Sequence, residues 1–362
     1  MSLPASSVPA ANPAASSADR RGRAVRAGRQ ETVWVVALVA LLAGLLAYFV
    51  LAVPNFRALG ASGVLGLSEQ FLDIGVIALG EALVIFAGEI DLSTGAMSSL
   101  AGIVMATLWQ QGLNIWLATV LALVVAGLGG LMNGVLVTRF SINSLLVTLG
   151  TQFIFSSVAT AVGGNTPPYN FPKSFVTLAG TGTIGPVPNQ LVTFAVIAVV
   201  MWLLMGRSRY GRGLVLIGYN RAAARYTGVN VERTLLGAFV ACGLLAGVAG
   251  IFVSGYYNAA RDDIGDSLLL PAITVVVLGG VDIFGGKGRM SGVIIAAFLL
   301  GFLTQGLLIR GDSSLTATMV TGIVLVLCLV LKIGLDRRAG VHLKELVQRR
   351  FSARRAPLAG GP

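Results

Sequence analysis

The feature that most constrains this chain is a succession of apolar runs, at about 33–53, 70–88, 96–111, 115–138, 144–163, 190–206, 234–255, 268–281, 290–309 and 315–332. The first is about 21 residues long, enough to cross a hydrocarbon core near 30 Å thick. Too many such runs occur for a soluble core to absorb them: 55% of the 362 residues are hydrophobic and only 11% are charged. That composition excludes a soluble globular enzyme and places the chain in a bilayer. The expected fold is an all-α polytopic membrane protein of about ten transmembrane helices. The 33–53 run has no small-residue cleavage site before Pro54, so it reads as an anchor helix.

Where the charges lie sets the orientation. The net charge of +11 would raise nucleic-acid binding in a soluble chain, but these charges flank the apolar runs. Counting from a cytosolic N-terminus, all of the 26 Lys and Arg except Arg57, Lys173, Arg261 and Arg310 fall on the inner side. This is the positive-inside pattern, and it puts both termini in the cytosol. Residues 1–32, rich in Ala, Ser, Pro and Arg, read as a disordered basic tail. Residues 33–332 form the membrane domain, and 333–362 form a second basic cytosolic tail. Asp262, Asp263 and Asp266 then fall near the outer face.

One stretch does not belong in lipid-facing helix. Gly88-Glu89-Ile90-Asp91-Leu92-Ser93-Thr94-Gly95 places carboxylates, hydroxyls and glycines at the end of an apolar run. An ionisable group at that depth costs roughly 2.5–3.5 kcal/mol on insertion scales, so it faces protein, a cavity or a partner. The frame Gly-x-Ile/Val-Asp-Leu/Ile-x-x-Gly recurs 191 positions later, from Gly279 to Gly286. Two related helix breaks are expected, one in each half, with glycine releasing the helix and Asp binding freed backbone donors. Glu81, Glu89, Asp91, Ser93 and Asn133 are the candidates for lining or shaping a polar path. Asp73 lies eight residues before Glu81 and reads as a headgroup-level acid, whereas Asn143 and Thr148 read as interhelical hydrogen-bonding positions. Gly130 to Gly134 and Gly243 to Gly247 are small-x-x-x-small patterns that allow close helix approach.

Between the sixth and seventh runs lies a basic stretch, 207–233, more patterned than orientation requires. Asn220 supplies an N-cap, Arg221 to Arg225 an Ala-rich turn, and Gly228 a stop, which predicts a short surface helix. Such a helix is marginal alone and gains stability by docking. The cluster Gly285-Gly286-Lys287-Gly288 is not a phosphate loop, since the spacing is wrong and Gly288 stands where Ser or Thr should hold magnesium. ATP-driven work would need a separate subunit. Cys242 and Cys328 sit in apolar runs without metal spacing, and His342 is the one histidine, so no metal site is expected.

The stretches GEIDLSTGAMSSLAG, LMNGVLVTRFSINSLLVTLGT, GRGLVLIGYNRAAARYTGVNVER and LPAITVVVLGGVDIFGGKGRMSGV, in this order, resemble the permease subunits of bacterial ABC importers of the ribose type. The resemblance runs from about residue 35 to 332. Around ARDDIGDSLLLPAITVVVLGGVDIFGG the chain looks most like permeases of autoinducer-2 import, with pentose and deoxyhexose permeases close behind. The resemblance implies an inner-membrane core of two permeases, identical or, as the better expectation, different. It also implies a cytosolic ATPase pair that binds the ATP and magnesium, and an external sugar-binding protein. Gly218, Asn220, Ala223, Ala224, Arg225 and Gly228 match the family's cytosolic pattern and would dock the ATPase. The acids Asp262, Asp263 and Asp266 would form the receptor-facing rim. One departure stands out: the family usually has Gly-Gly before the hydrophobic-Asp pair, and here Glu89 takes the second position. The resulting expectation is a permease for a sugar or small polyol of the autoinducer-2, rhamnose or pentose class, itself not an enzyme and without a bound cofactor. The rival is a proton-coupled secondary transporter with Glu81, Glu89 or Asp91 as carrier.

Overall fold

The computed structural model describes residues 17–164, 167–324, 326, 327 and 330. Residues 1–16 and 333–362 of the two expected tails lie outside them. The described chain is overwhelmingly helical, and its only sheet among the described residues is the two-residue pairing of β1 (Thr183–Ile184) with β2 (Val187–Pro188).

Helix α1 spans Ser17–Ala52, so the backbone of 17–32 is helical where a disordered tail was expected. At 1.5 Å per residue its 36 residues reach about 54 Å. It therefore projects well past a bilayer core. Pro54 stops it: Val53 is extended, as the residue before a proline prefers, and Pro54 opens the short α2 (Pro54–Ala58). After α3 (Gly60–Gly66) come α4 (Leu72–Phe86) and α5 (Thr94–Gln110), separated by the first break. Asn114 caps α6 (Ile115–Arg139) by accepting from Trp116 N at 2.9 Å, and Asn143 caps α7 (Ser144–Gly163) by accepting from Leu145 N at 2.9 Å. Asn143 is thus a cap and not an interhelical bridge. Helix α8 (Lys173–Ala179) and the small hairpin lead to α9 (Asn189–Arg207).

The basic stretch that follows is two helices where one was expected. Ser208, accepting from Gly211 N at 3.0 Å, separates α9 from α10 (Arg209–Tyr219), and α11 (Arg221–Tyr226) follows after the single extended residue Asn220. Helix α12 (Val231–Tyr257) is capped by Asn230 and stopped by left-handed Asn258. Then come α13 (Leu269–Leu278), the second break, α14 (Met290–Arg310) and α15 (Ser314–Val324).

Among the described residues, six helices are long and apolar enough to span a membrane: the 31–52 part of α1, α6, α7, α9, α12 and α14. The other four expected runs carry the shorter helices α4, α5, α13 and α15. Helix α4 is enclosed along nearly its whole length, and α13 is buried from Thr274 to Leu278. Nearly all of α4 is buried, and α12 packs across α4, α5 and α6. The small-residue faces of α6 and α12 meet each other: a Cβ on Gly243 would lie 3.0 Å from both Cα and N of Gly130. Large apolar side chains such as Val124 and Leu128 on α6, Leu146 and Phe153 on α7, and Val196 and Val199 on α9 are exposed. These are the faces a bilayer or a second membrane subunit would cover.

Helix α1 lies against α14 and holds the second break from outside. The Trp34 indole N–H donates to Leu278 O at 3.0 Å, and Glu31 pairs with Arg289 at 3.1 Å.

Candidate functional site

Both breaks close their first helix in the same way. In the first, Gly88 is left-handed and Glu89 N donates back to Val84 O; in the second, Gly280 is left-handed and Val281 N donates to Val276 O. Each is the six-to-one closure of a Schellman turn. Each Asp then accepts from the backbone N–H two residues on: Asp91 Oδ1 from Ser93 N at 2.9 Å, and Asp282 Oδ1 from Phe284 N at 3.1 Å. The related breaks expected from the repeated frame are therefore present, with one correction to their register. Matching the two sequences aligns Gly88 with Gly279, but the left-handed glycine that answers Gly88 is Gly280. The first break thus has one more residue between that glycine and its Asp: Glu89 answers Val281, since both make the closing bond, and the added residue is Ile90.

The first break's freed backbone is satisfied from α7. Leu92 N donates to Thr148 Oγ1 at 3.0 Å, and Ile90 N to Ser144 Oγ at 3.4 Å. Irregular backbone at membrane depth survives only when protein supplies such partners. Thr148 thus fills the interhelical role expected of it. Ser144 does the same, and nothing in its local sequence distinguishes it from an ordinary first-turn serine.

Four of the five pathway candidates converge in one buried knot. Ser93 Oγ donates to Asp91 Oδ1 at 2.6 Å, and Asn133 Nδ2 donates to Ser93 Oγ at 2.8 Å while facing both Asp91 oxygens at 3.4 Å. Thr94 Oγ1 donates to Glu81 Oε1 at 2.9 Å and so brings the α4 carboxylate to the start of α5. Glu81 and Asn133 are 0% exposed and Asp91 and Ser93 1%, so the four lie inside this chain and do not line an open face of it. Thr94 belongs to the stretch singled out in the sequence but was not among the pathway candidates. Asp73 sits in the first turn of α4, where its Oδ1 accepts from Ile74 N at 2.8 Å. An acid there favours the helix N-terminus.

Glu89 does not join the knot. It turns the other way and forms an ion pair with Arg221, the first residue of α11. The breaks and the α10–α11 pair meet at this end through glycines. Gly286 N donates to Phe86 O at 2.9 Å, and a Cβ on Gly285 would lie 2.7 Å from Gly88 Cα and 3.0 Å from Gly218 Cα. No side chain fits at Gly218, whose missing Cβ would strike the Phe86 carbonyl. The backbone N–H groups of the phosphate-loop look-alike are already engaged: Gly285 N with Asp282 O, Gly286 N with Phe86 O, and Gly288 N with Glu31 Oε1.

Around this junction α11 forms as its sequence predicts. Asn220 Oδ1 accepts from Ala223 N at 2.9 Å, Ala224 is buried, Arg225 faces out, and left-handed Gly228 lets Val229 N close on Ala224 O at 3.1 Å. Tyr219, Tyr226 and Phe284 are 76%, 93% and 84% exposed there, an aromatic patch around the helix. Phe284 reaches it because Gly285 and Gly286 press on Gly218 and Tyr219.

The acidic group lies at the other end of α12. Asp262 accepts from Thr160 Oγ1 at 2.6 Å, and Asp263 is bound by Arg261, with Nε to Oδ1 at 2.9 Å and Nη2 to Oδ2 at 2.6 Å. The Arg261 guanidinium holds the Asp263 carboxyl below the usual carboxylate range. Asp266 is exposed and makes no ion pair with any described residue. Behind it, Gly265 N donates to Ser99 Oγ at 2.9 Å and seats the loop on α5.

A body of apolar helices broken twice at depth, its carboxylates enclosed and its backbone satisfied from neighbouring helices, defines an integral membrane permease. The chain belongs to the permease family described as branched-chain amino acid transport system / permease component, whose model matches residues 63–329. It is similar to the autoinducer 2 import system permease protein LsrD of Yersinia enterocolitica, 37% identical over 326 residues, covering 88% of this chain and 96% of that protein. The LsrD proteins of Salmonella typhimurium (34% identical over 321 residues, 87% of this chain and 94% of the relative) and Escherichia coli O9:H4 (34% over 329 residues, 89% and 97%) are further relatives. No solved structure matches the chain.

Proposed function

We propose that the chain is the transmembrane permease subunit of an ATP-driven importer for a small sugar-like polyol, of the class that includes autoinducer 2. The observation that carries this reading is the match to LsrD permeases along nearly the full length of both partners, 88% of this chain and 96% of the Yersinia relative. In this reading about ten helices cross the inner membrane: the six long ones and α4, α5, α13 and α15. Both termini and the α10–α11 junction face the cytosol, and the Asp262–Asp266 loop faces outward. A cytosolic ATPase pair docks on α11 and the aromatic patch of Tyr219, Tyr226 and Phe284. An external binding protein meets the acidic loop, and a companion permease covers part of the exposed apolar surface.

The chain binds no nucleotide of its own, a reading supported by the internal engagement of the Gly285, Gly286 and Gly288 N–H groups. The enclosed knot of Glu81, Asp91, Ser93, Thr94 and Asn133 shapes the path by fixing the break, and substrate passes along faces outside it. A proton-coupled carrier is the weaker reading, because a carboxylate that carries protons needs access to water and Glu81 and Asp91 are closed off.

The test is uptake into proteoliposomes holding this chain with its companion permease, ATPase and binding protein. Labelled autoinducer 2 is expected to enter only with internal or external ATP at the ATPase face, and to be displaced by its own unlabelled form. The family's description favours a second substrate, a branched-chain amino acid. Competition by leucine and not by autoinducer 2, rhamnose or ribose would establish that one instead. Uptake without the ATPase, abolished by a proton uncoupler, would overturn the reading altogether.

A further inference from the structure

We propose that the Glu89–Arg221 ion pair is the strut that ties α11 to the first helix break, so that movement of the docked helix is passed to α5 and substrate movement is coupled to ATP hydrolysis. This rests on the importer reading, but it names a pair of positioning residues that neither the family nor the relatives assign.

Four observations converge on it. First, Glu89 is 7% exposed, and Arg221 is its ionic partner among the described residues. A carboxylate enclosed at the rim of an apolar body is expensive without its partner, so the contact is held even as the elements shift. Second, Glu89 has no charged counterpart in the second break. There the residue after left-handed Gly280, which makes the same closing bond as Glu89, is the apolar Val281. The link to α11 therefore exists on one break only. Third, α11 is joined to its neighbours by minimal hinges. Asn220, extended at φ −165° and ψ 109°, separates it from α10, and left-handed Gly228 lies between it and α12. Helix α10 is by contrast fixed, with Gly218 pressed against Phe86 and Gly286. A six-residue body between two such joints is best held by a side-chain contact to a fixed element. Fourth, the receiving end is rigid. Two residues after Glu89, Asp91 holds Ser93 at the start of α5 and is itself held by Asn133 of α6. A pull on Glu89 is thus delivered to α5 and α6 together.

Arg221 is half exposed toward the surface on which a partner would dock. Docking would remove water from the pair and strengthen it, because the same charges attract more strongly in a lower dielectric. The strut would be stiffest when the partner is seated.

The experiment has two arms on the full chain. In the first, a spin label at Tyr226→Cys reports the mobility of α11 in nanodiscs without any partner. Glu89→Gln and Arg221→Gln are expected to raise its mobility, and the exchange Glu89→Arg with Arg221→Glu to restore it. In the second, proteoliposomes with all partners are assayed for ATP hydrolysed and substrate moved. Each single variant is expected to keep hydrolysis while transport falls about tenfold, within the usual range of site-to-site coupling, and the exchange to recover most of the loss. A residue that only props up the fold would lower both activities together. Unchanged label mobility, an unchanged ratio of hydrolysis to transport, or losses that add in the exchanged protein would each overturn the strut. A wild-type complex that shows no ATP-driven uptake would instead overturn the importer reading, while the label still decides whether the pair tethers α11.

Discussion

Asn133 binds the buried knot together from a different helix, through one amide nitrogen that reaches Ser93 and both Asp91 oxygens. Asn133→Ala leaves two buried acceptors short of a donor and is expected to cost about 1–3 kcal/mol. A fall in the melting temperature of the purified chain in detergent checks this, and an unchanged melting curve would mean that the asparagine merely fills space. Gly218 makes a second case at single-residue scale. Gly218→Val forces a side chain into the Phe86 carbonyl and the Gly286 backbone, an overpacking worth roughly 1–3 kcal/mol. Gly44→Val, with open space around it, is the matched control and is expected to be neutral. The two variants should separate clearly in thermal stability. Asp91 and Ser93 could be singled out from sequence because polar residues stand out against an apolar run. The roles of Thr94 and Ser144 were not legible, because hydroxyls are common near helix starts and only the packing of α7 and α4 shows what they hold.

Among the elements, α6 and α12 approach closely, glycine against glycine. Gly243→Leu is expected to separate them and to destabilise the chain by about 1–3 kcal/mol or more, seen as loss of the monodisperse peak in size-exclusion chromatography. Both small-residue patterns are visible in the sequence, but a chain with 47 glycines offers many such pairs, and only the fold shows that these two face each other. Helix α11 was legible for a simpler reason: cap, Ala-rich turn and terminating glycine are local signals. Its cap can be tested directly. Asn220→Ala should cost on the order of 1 kcal/mol of local helix stability, so the Ala223 amide should exchange faster with solvent. Helix α10 escaped the reading because Gly211, Gly213 and Gly218 depress helix propensity. At least two of those glycines are there for tertiary reasons, Gly211 against Met205 and Gly218 against the first break, and tertiary demands leave no local trace.

For the whole molecule, the proposed topology makes Tyr226 cytosolic and Asp266 external, at opposite ends of α12. A membrane-impermeant maleimide applied to intact cells should label Asp266→Cys and spare Tyr226→Cys until the membrane is opened. The reverse pattern would invert the orientation. The apolar runs revealed the membrane class and the order of the helices, because hydropathy is additive along the chain. They could not rank the helices by depth. Helices α4 and α13 turn out to be central although they are short, and their burial depends on how α12 and α14 pack around them. The repeat was readable, yet its true register was not, because glycine in sequence does not say which glycine is left-handed.

Helix α1 adds a consequence for how the protein is made. It leaves the ribosome well before the segments it binds: its ties run to Leu278, 244 positions later, and to Arg289, 258 positions later. At about 5–20 residues per second, synthesis leaves it waiting for roughly 10–50 s before its binding surface exists. In that interval Trp34 and Glu31 must stay near the point of insertion while seven or more helices enter around them. A helix made early is thus among the last to find its seat, and the quality of the finished body is checked by whether that waiting helix can still be placed.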